Sequence, residues 1–224
     1  MTILAHRANL LGPNPATENS LPAVLEALNA GFGLETDLRR DGAGQFYIAH
    51  DAEARTDAND FRQYAALFRR FPGSAIAMNV KELGYEPSLV ELWVSGHLGE
   101  SGFYFDFELL EPQYPGRAQR LIHASPGGAA VPMAARLSDR NETLAQCLSI
   151  PATVVWADEF DSLWLTGEIV EAVHAAGRKF YVISPELHHF TDADRLARWR
   201  DFKRWKVDGI CTDFSFAARE FFSK

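Results

Sequence analysis

Cysteine is scarce in this sequence, with Cys147 and Cys211 as its two copies in 224 residues. Two cysteines are too few for a disulfide framework and lack the spacing of a metal site, which favours the reducing cytosol. Long apolar runs are also missing, because no stretch approaches the roughly 18–20 residues that a membrane-spanning helix needs. The opening MTILAHRANL has no basic segment before an apolar one, so a cleaved signal peptide is not expected. These absences predict a cytoplasmic protein without a membrane span.

Positive charge is the second deficit of the chain. Lys and Arg number 22 against 30 Asp and Glu, which gives a formal net charge of −8. This balance argues against a partner such as nucleic acid or an anionic membrane surface. A phosphate group bound by this chain must therefore meet local positive charge or a metal ion. The length and the 47% hydrophobic content suffice for one core, and we expect a single domain over residues 1–224.

Short apolar segments alternate with amphipathic segments along the chain, as is typical of parallel βαβ units. The predicted strands are residues 2–6, 33–37, 75–80, 102–107, 119–123, 152–157, 179–184 and 208–212. The predicted helices are residues 20–30, 59–70, 86–95, 139–148, 165–176, 192–205 and 215–222. Residues 45–49 are interpreted as a β-hairpin excursion after the second strand. Eight such units predict an α/β fold, a single (β/α)8 TIM barrel, whose weakest unit is the one with the short span between 107 and 119.

Two strand patterns support closure of the sheet into a barrel. In AIAMNVK (75–81), small and polar residues alternate with large apolar ones, and in GFYFDF (102–107) Tyr104 and Asp106 alternate with three phenylalanines. We expect the large apolar groups to face the helices and the small and polar groups to face the lumen. An antiparallel sheet with one solvated face would show the same alternation, but the intervening helices favour the barrel.

Polar residues follow nearly every predicted strand, at the barrel end where such folds place their active sites. They are His6, Glu35, Asp37, Asn79, Lys81, Asp106, His123, Asp158, Glu186 and Asp213. The glycine-rich PGGAA at 126–130 is interpreted as an exposed loop near the same end. Asp213 is expected to fix a loop rather than to react. No role is defined for His123, Asp158 or Glu186, which could contact the substrate but are more commonly loop caps or solvated groups at such positions. The run VISPELHHF is more simply a polar loop than a second cation site.

The candidate catalytic and metal-binding residues are concentrated in residues 3–51. Glu35 and Asp37 are two apart on a predicted strand and therefore project from the same face. Two such carboxylates repel unless a cation lies between them, and oxygen ligands suit a hard ion such as Mg²⁺ or Ca²⁺. His6 and His50 can accept and donate protons near neutral pH. The alternative to a catalytic role is that both histidines are structural. The alternative to metal binding is that the two carboxylates are paired with Arg39 or Lys81.

In this window the sequence resembles the glycerophosphodiester phosphodiesterase family. The motifs that carry the resemblance occur in the family order: His6-Arg7, Glu18-Asn19-Ser20, Glu35-Thr36-Asp37, Asp41-Gly42 and His50-Asp51. One such dipeptide would carry no weight, but together within about fifty residues they are a specific signal. The resemblance is strong over residues 3–51 and weak over most of the remaining chain.

The resemblance implies a metal-dependent phosphodiesterase of lipid metabolism that converts a small glycerophosphodiester-like substrate into an alcohol and a phosphomonoester. It implies that His6 and His50 are the catalytic acid–base pair. It also implies that Glu35 and Asp37 bind Mg²⁺ or Ca²⁺, and that Arg7 and Lys81 bind the phosphate. In the family, a neighbouring hydroxyl of the substrate attacks the phosphorus and gives a cyclic phosphate that water then opens.

One residue departs from the family pattern. The family has Glu-x-Lys on the third strand, whereas this chain has Asn79-Val80-Lys81. An Asn carbonyl can still bind a hard cation, but it brings no charge, so we expect weaker affinity at a site of Glu35, Asp37 and Asn79.

Three alternatives to a hydrolase stay open at this point. A lyase would stop at the cyclic phosphate, and a non-catalytic barrel would bind a phosphorylated headgroup without turnover. An aldolase-like barrel would use Lys81 to form a Schiff base with a carbonyl substrate.

Overall fold

The computed structural model describes residues 1–96 and 101–224. Its strands are β1 (Thr2–His6), β2 (Gly33–Arg40), β3 (Phe46–Ile48), β4 (Ile76–Val80), β5 (Phe103–Phe105), β6 (Ala134–Ser138), β7 (Val154–Asp158), β8 (Lys179–Ile183) and β9 (Gly209–Thr212). Its α-helices are α1 (Leu21–Asn29), α2 (Phe61–Phe68), α3 (Glu86–Val94), α4 (Phe107–Leu110), α5 (Arg117–Ala124), α6 (Leu144–Ser149), α7 (Gly167–Ala175), α8 (Asp192–Trp205) and α9 (Ser215–Ser223). Short 3-10 turns occupy Gly128–Ala130 and Pro185–His188.

The strands form a nearly closed parallel barrel. Eight of them follow the order β5-β4-β2-β1-β9-β8-β7-β6, with parallel pairing between neighbours. A parallel bridge between Tyr104 and Met133 joins the two end strands. The strand β3 pairs antiparallel with β2 and lies off this path, as a hairpin excursion. The TIM barrel and the hairpin predicted from the sequence are therefore confirmed.

One barrel unit was predicted wrongly. Residues 119–123 belong to helix α5, and the fifth barrel strand is β6 at Ala134–Ser138. In α5 the buried residues Ala118 and Ile122 lie on one helix face, and Ile122 together with the exposed Leu121 forms an apolar pair that imitates the centre of a short strand. In β6 a buried Arg136 interrupts the apolar pattern and conceals the strand. The helix predicted over 139–148 begins at Leu144, after the capping residue Thr143.

This shift moves two features away from the barrel end where the strands finish. His123 lies on α5 and does not follow a strand. The glycine-rich segment at 126–130 precedes β6, so it lies at the end where the strands begin rather than near the mouth. The expectations for both were wrong because the strand was placed one element too early.

The lumen and the outer core have different compositions. As predicted for β4, Ala77 packs in the lumen, whereas Ile76, Met78 and Val80 pack under the helices. In β5 the predicted orientation is reversed: Phe103 and Phe105 fill the lumen, and the Tyr104 hydroxyl donates a 3.0 Å hydrogen bond to the Leu89 carbonyl of α3. Small residues of neighbouring strands, such as Ala77 and Ala134, leave room for these rings.

Strand register brings the polar residues of the first three barrel strands together. His6 pairs with Glu35 across β1 and β2, and Asp37 pairs with Asn79 across β2 and β4. Parallel strands place these residues at the same end of the barrel. Within the described ranges, no helix combines the length and the apolar character needed to cross a membrane.

Candidate active site

A pocket of about 240 Å³ opens where the barrel strands end. Its lining residues are His6, Arg7, Glu35, His50, Asn79, Lys81, Phe105, Asp106, Leu109, Arg136, Trp156, Asp158, Phe160, Ile183, Leu187 and His188. A larger cavity of about 700 Å³ lies at the opposite end, where the strands begin, and its described lining contains no Asp, Glu or His. The ionisable groups that can perform chemistry therefore converge on the smaller pocket.

His6 is held from both sides by carboxylates. It is the last residue of β1, and its Nδ1 lies 2.7 Å from Oδ1 of Asp213, directly after β9. Its Nε2 lies 3.9 Å from Oε2 of Glu35. Burial alone would lower the pKa of His6, but the Asp213 hydrogen bond and the charge of Glu35 raise it above the ordinary value. The Asp213 contact fixes the ring so that Nε2 is turned toward Glu35.

Glu35 lies beside His6 as the parallel register requires, and its side chain is 3% exposed. Its Oε2 accepts a 3.2 Å hydrogen bond from the backbone N–H of Arg7. Burial and the neighbouring charge of Asp37 raise the pKa of Glu35 to about 7. A cation in the pocket would favour the ionised form of this carboxylate.

Asp37 is neutralised by cations of the protein itself. Lys81 Nζ lies 2.8 Å from its Oδ1, and Arg7 Nε lies 3.4 Å from its Oδ2. Asn19 donates a 2.8 Å hydrogen bond to the same Oδ2. Burial alone would raise the pKa of Asp37, but the ion pair with Lys81 and the charge of Arg7 outweigh burial and lower it. Asp37 therefore remains charged, and it holds the two cations in place.

Asn79 completes the predicted ligand set. Its side chain lines the pocket, and no described residue forms a hydrogen bond with its amide. Among residues 1–96 and 101–224, no group of three or more His, Cys, Asp or Glu side chains is placed to hold a metal ion. The predicted set of Glu35, Asp37 and Asn79 contains two carboxylates and one amide, and it is therefore not such a group. The hard oxygen donors of Glu35 and Asn79 fit a divalent cation, although with less charge than three carboxylates would supply.

Arg7 lies on a strained turn directly after β1. Arg7 and Ala8 both adopt a positive φ, of 48° and 67°, a conformation that non-glycine residues seldom occupy. The Arg7 guanidinium binds Glu18 at 3.1 Å, from the segment before α1. Its position between Glu18 and Asp37 aims a permanent positive charge at the rim of the pocket.

His50 comes from the hairpin and closes the pocket from another direction. Arg39 fixes the segment by donating a 2.6 Å hydrogen bond from Nη2 to the His50 carbonyl. The ring is 44% exposed, and its Nδ1 lies 2.9 Å from Oδ1 of Asp51. Burial and the positive charge of Arg7 lower the pKa of His50 below its ordinary value. His50 and Arg7 also line a second groove of about 600 Å³, which runs along the hairpin.

Comparison with known proteins gives a clear result at the level of structure. No protein-family model matches the sequence, and no curated protein matches it either. A candidate glycerophosphodiester phosphodiesterase from Galdieria sulphuraria superposes with a TM-score of 0.75 at 20% identity, over 100% of this chain and 98% of the other. A glycerophosphodiester phosphodiesterase from Agrobacterium tumefaciens str. C58 gives a TM-score of 0.67 at 20% identity, over 100% of both chains. One from Thermotoga maritima gives 0.60 at 16% identity, over 98% of this chain and 97% of the other.

This chain has the fold of the glycerophosphodiester phosphodiesterases.

Within this glycerophosphodiester phosphodiesterase fold, the predicted site residues come together. His6, Arg7, Glu35, His50, Asn79 and Lys81 all line one pocket, and Asp37 lies directly behind it, bound to Lys81. The Asp37–Lys81 ion pair is the alternative that the sequence left open for this carboxylate. The chemical roles of these site residues remain predictions.

Some residues of the site were missed or given another role. Asp213 was expected to fix a loop, and it does bind Asn9 at 2.8 Å, but it also orients His6. Asn19 links Thr36 and Asp37 by hydrogen bonds of 2.7 and 2.8 Å, a role that the family motif around it could have suggested. Arg136 was missed because its strand was missed.

The structure also shows where the residues lie for which the sequence defined no role. Asp158 lines the pocket and accepts hydrogen bonds from Arg136 and His188. Glu186 accepts hydrogen bonds from Ser184 and Thr212 and so joins the ends of β8 and β9. His123 lies on α5 and is absent from the described lining of the pocket.

Proposed function

We propose that this chain is a phosphodiesterase that cleaves a glycerophosphodiester-like substrate into an alcohol and a phosphomonoester. The observation that carries the proposal is the His6 ring, held between Asp213 and Glu35 in a pocket that it shares with His50, Arg7 and Lys81. The likeness to solved glycerophosphodiester phosphodiesterases supports it through the fold.

The two histidines exchange protons with the substrate. Cleavage of a phosphodiester needs one proton removed from the attacking hydroxyl and one delivered to the leaving alkoxide. Asp213 leaves the Nε2 of His6 for the pocket, while the hairpin brings the more exposed His50 to the rim. Two imidazoles on different elements can act on the two oxygens that lie on either side of one phosphorus atom.

Arg7 and Lys81 balance the charge of the phosphate. Both line the pocket, and both are held by Asp37 through contacts of 3.4 and 2.8 Å. Because Asp37 positions them before the substrate binds, they stabilise charge that develops on the phosphoryl oxygens without reorganisation. Their proximity also compensates locally for the net charge of −8 on the chain.

A divalent cation such as Mg²⁺ or Ca²⁺ fits this site as a weakly held partner. Glu35 and Asn79 would hold it from the pocket wall, with Asp37 adjoining, and it would supply further positive charge to the phosphate oxygens. The neutral Asn79 reduces the affinity relative to a carboxylate at that position.

The deciding experiment is turnover of a panel of glycerophosphodiesters, followed by release of the alcohol and by ³¹P NMR, with and without EDTA. We expect wild-type turnover, and a loss of about 100-fold or more in kcat for His6→Ala and for His50→Ala. His174→Ala is the matched control, because that surface histidine is paired with Asp208 far from the pocket lining.

The products separate the remaining alternatives. A phosphomonoester as the final product supports the hydrolase, whereas a cyclic phosphate that persists identifies a lyase. Binding of the panel without release of any alcohol would overturn the catalytic proposal in favour of a binding barrel.

A further inference from the structure

The pocket has a second polar wall on the side of the barrel opposite the proposed chemistry. In the ring of eight strands, β6 lies four places from β1, and β7 lies four places from β2. The far side carries Asp106 after β5, Arg136 on β6, Asp158 at the end of β7 and His188 after β8. We call these four residues the distal wall, and all of them line the pocket. None of them belongs to the acid–base, phosphate or cation groups assigned above.

The distal wall is one continuous hydrogen-bonded chain. Arg136 donates from Nη1 to Asp106 and from Nη2 to Asp158. The second carboxylate oxygen of Asp158 is bonded to Nε2 of His188. Arg136 is 3% exposed, and Phe160 covers it, with 4.8 Å between the guanidinium carbon and the ring centroid. A network tied across four strands and covered by an aromatic ring is rigid before any ligand arrives.

This rigid wall still has acceptor capacity to offer. Arg136 occupies one carboxylate oxygen of Asp106, and no described residue bonds the second one. The two carboxylates and one guanidinium give a formal charge of −1 when His188 is neutral. An anionic group would be repelled there, whereas a hydroxyl that donates to Asp106 would be bound.

A quaternary ammonium group is the competing ligand for a negative, partly aromatic wall, but the open ring faces that it needs are missing. Phe160 is already packed against Arg136 and against Arg140, the latter with 4.1 Å between the guanidinium carbon and the ring centroid. Phe105 and Trp156 pack on each other with centroids 4.1 Å apart, and each is at most 2% exposed. The described aromatic groups around the pocket therefore offer no cage for such a cation.

We propose that the distal wall recognises the polyhydroxylated arm of the substrate, a small neutral polyol bound through hydroxyl groups by Asp106 on the Arg136–Asp158 support. That the polyol is one arm of a phosphodiester rests on the proposed function. The binding of the polyol itself does not depend on it. The pocket volume of about 240 Å³ suits a small arm, since it is below the roughly 300–1,000 Å³ of sites for drug-sized ligands. The second arm of the diester would lie in the groove that shares Arg7 and His50 with the pocket.

Asp106→Asn is the most specific variant for testing polyol binding by the distal wall. The Asn carbonyl can still accept from Arg136, while the second oxygen becomes an NH₂ donor, so the support remains and the acceptor is inverted. Asp106 has a φ of 74°, which Asn tolerates well, so the backbone is not disturbed. Arg140→Met is the matched control, because Arg140 contacts Phe160 but is absent from the described pocket lining.

The first measurement is independent of catalysis: titration of the protein with glycerol, myo-inositol and choline, followed by NMR shifts of the pocket residues. We expect wild type and Arg140→Met to bind the polyols, and Asp106→Asn to bind them at least tenfold more weakly. Choline binding tighter than polyol binding, or equal polyol binding by Asp106→Asn, would overturn the inference.

The second measurement is steady-state kinetics on the diester of phosphate with two glycerols. Asp106→Asn should raise KM about tenfold while kcat stays within about twofold, because the residue holds the arm and does not transfer protons. A fall in kcat with unchanged KM would show that the wall acts on the chemistry instead. An absence of turnover by wild type would overturn the proposed function, while the polyol titration would still decide the inference.

Discussion

His6 and Asp213 are 207 residues apart in the chain and are joined by a hydrogen bond of 2.7 Å. The barrel makes this contact possible because β1 and β9 are parallel neighbours, with Ala5 beside Thr212. The residues that follow this register pair, His6 and Asp213, therefore meet at the same rim. A carboxylate behind a catalytic imidazole fixes the ring and stabilises its protonated form.

We predict that Asp213→Asn lowers kcat by about 100-fold or more, because His6 loses the contact that orients it and raises its pKa. The pH dependence of kcat should shift to lower pH on the limb that belongs to His6. Asp208→Asn is the matched control, since Asp208 pairs with His174 at 2.9 Å on the protein surface. An equal loss in both variants would mean that the effect is structural.

A bell-shaped pH dependence of kcat/KM is the second prediction. The pKa of His6 is raised above 6.5 and that of His50 is lowered below 6.5, which assigns the proton donor to His6 and the acceptor to His50. Activity should fall as the pH rises through the pKa of His6, which must be protonated, and also as the pH drops through the pKa of His50, which must be neutral. In His50→Ala the acid limb should disappear and the alkaline limb should remain. Residual activity that rises with pH in this variant would reverse the assignment.

Glu35 should make the protein less stable as the pH rises. Burial and the charge of Asp37 raise the pKa of its carboxyl group from 4.5 to about 7 on folding, so the unfolded chain releases its proton first as the pH rises. The penalty is absent below pH 4.5 and complete above pH 7. Glu35→Gln should therefore raise the free energy of unfolding at pH 8 by up to about 3 kcal/mol and leave it nearly unchanged at pH 4. Urea denaturation measures this, and the exposed Glu26→Gln, which removes the same charge from a helix surface, should show no such pH dependence.

Asn79→Glu should tighten binding of Ca²⁺ or Mg²⁺ by at least about tenfold, because it adds a third carboxylate beside Glu35 and Asp37. The rise in Tm with cation concentration reports the affinity without reference to activity. Asn79→Ala, which removes the oxygen, should weaken the wild-type response. An unchanged Tm response in Asn79→Glu would show that the cation is not held at this position.

The lumen packing makes a prediction about stability alone. Phe105 is 2% exposed and packs on Trp156, so Phe105→Ala should lower the free energy of unfolding by about 3–5 kcal/mol. Leu11→Ala, at a residue that is 81% exposed, should stay within about 0.5 kcal/mol of wild type. Urea denaturation of both variants measures the two losses, and a loss for Phe105→Ala as small as that for Leu11→Ala would contradict the burial of the Phe105 ring.

The sequence alone determined the alternation of strands and helices, and with it the barrel. It also predicted that His6, Glu35 and Asp37 would meet, because strand period is a local property and parallel strands of a barrel place their carboxyl ends at one rim. It could not place β6, since an arginine in the lumen removes the apolar signal of a strand and α5 imitates one over five residues.

The tertiary structure decided the contacts between distant segments and the charge state of the site. Asp213 behind His6, Lys81 against Asp37, and Arg136 between two aspartates depend on how the ring of strands closes. The phenylalanines of β5 face the lumen because small residues of neighbouring strands leave room for them, and no single strand encodes that volume. Burial and neighbouring charge set pKa values only after these segments have packed together.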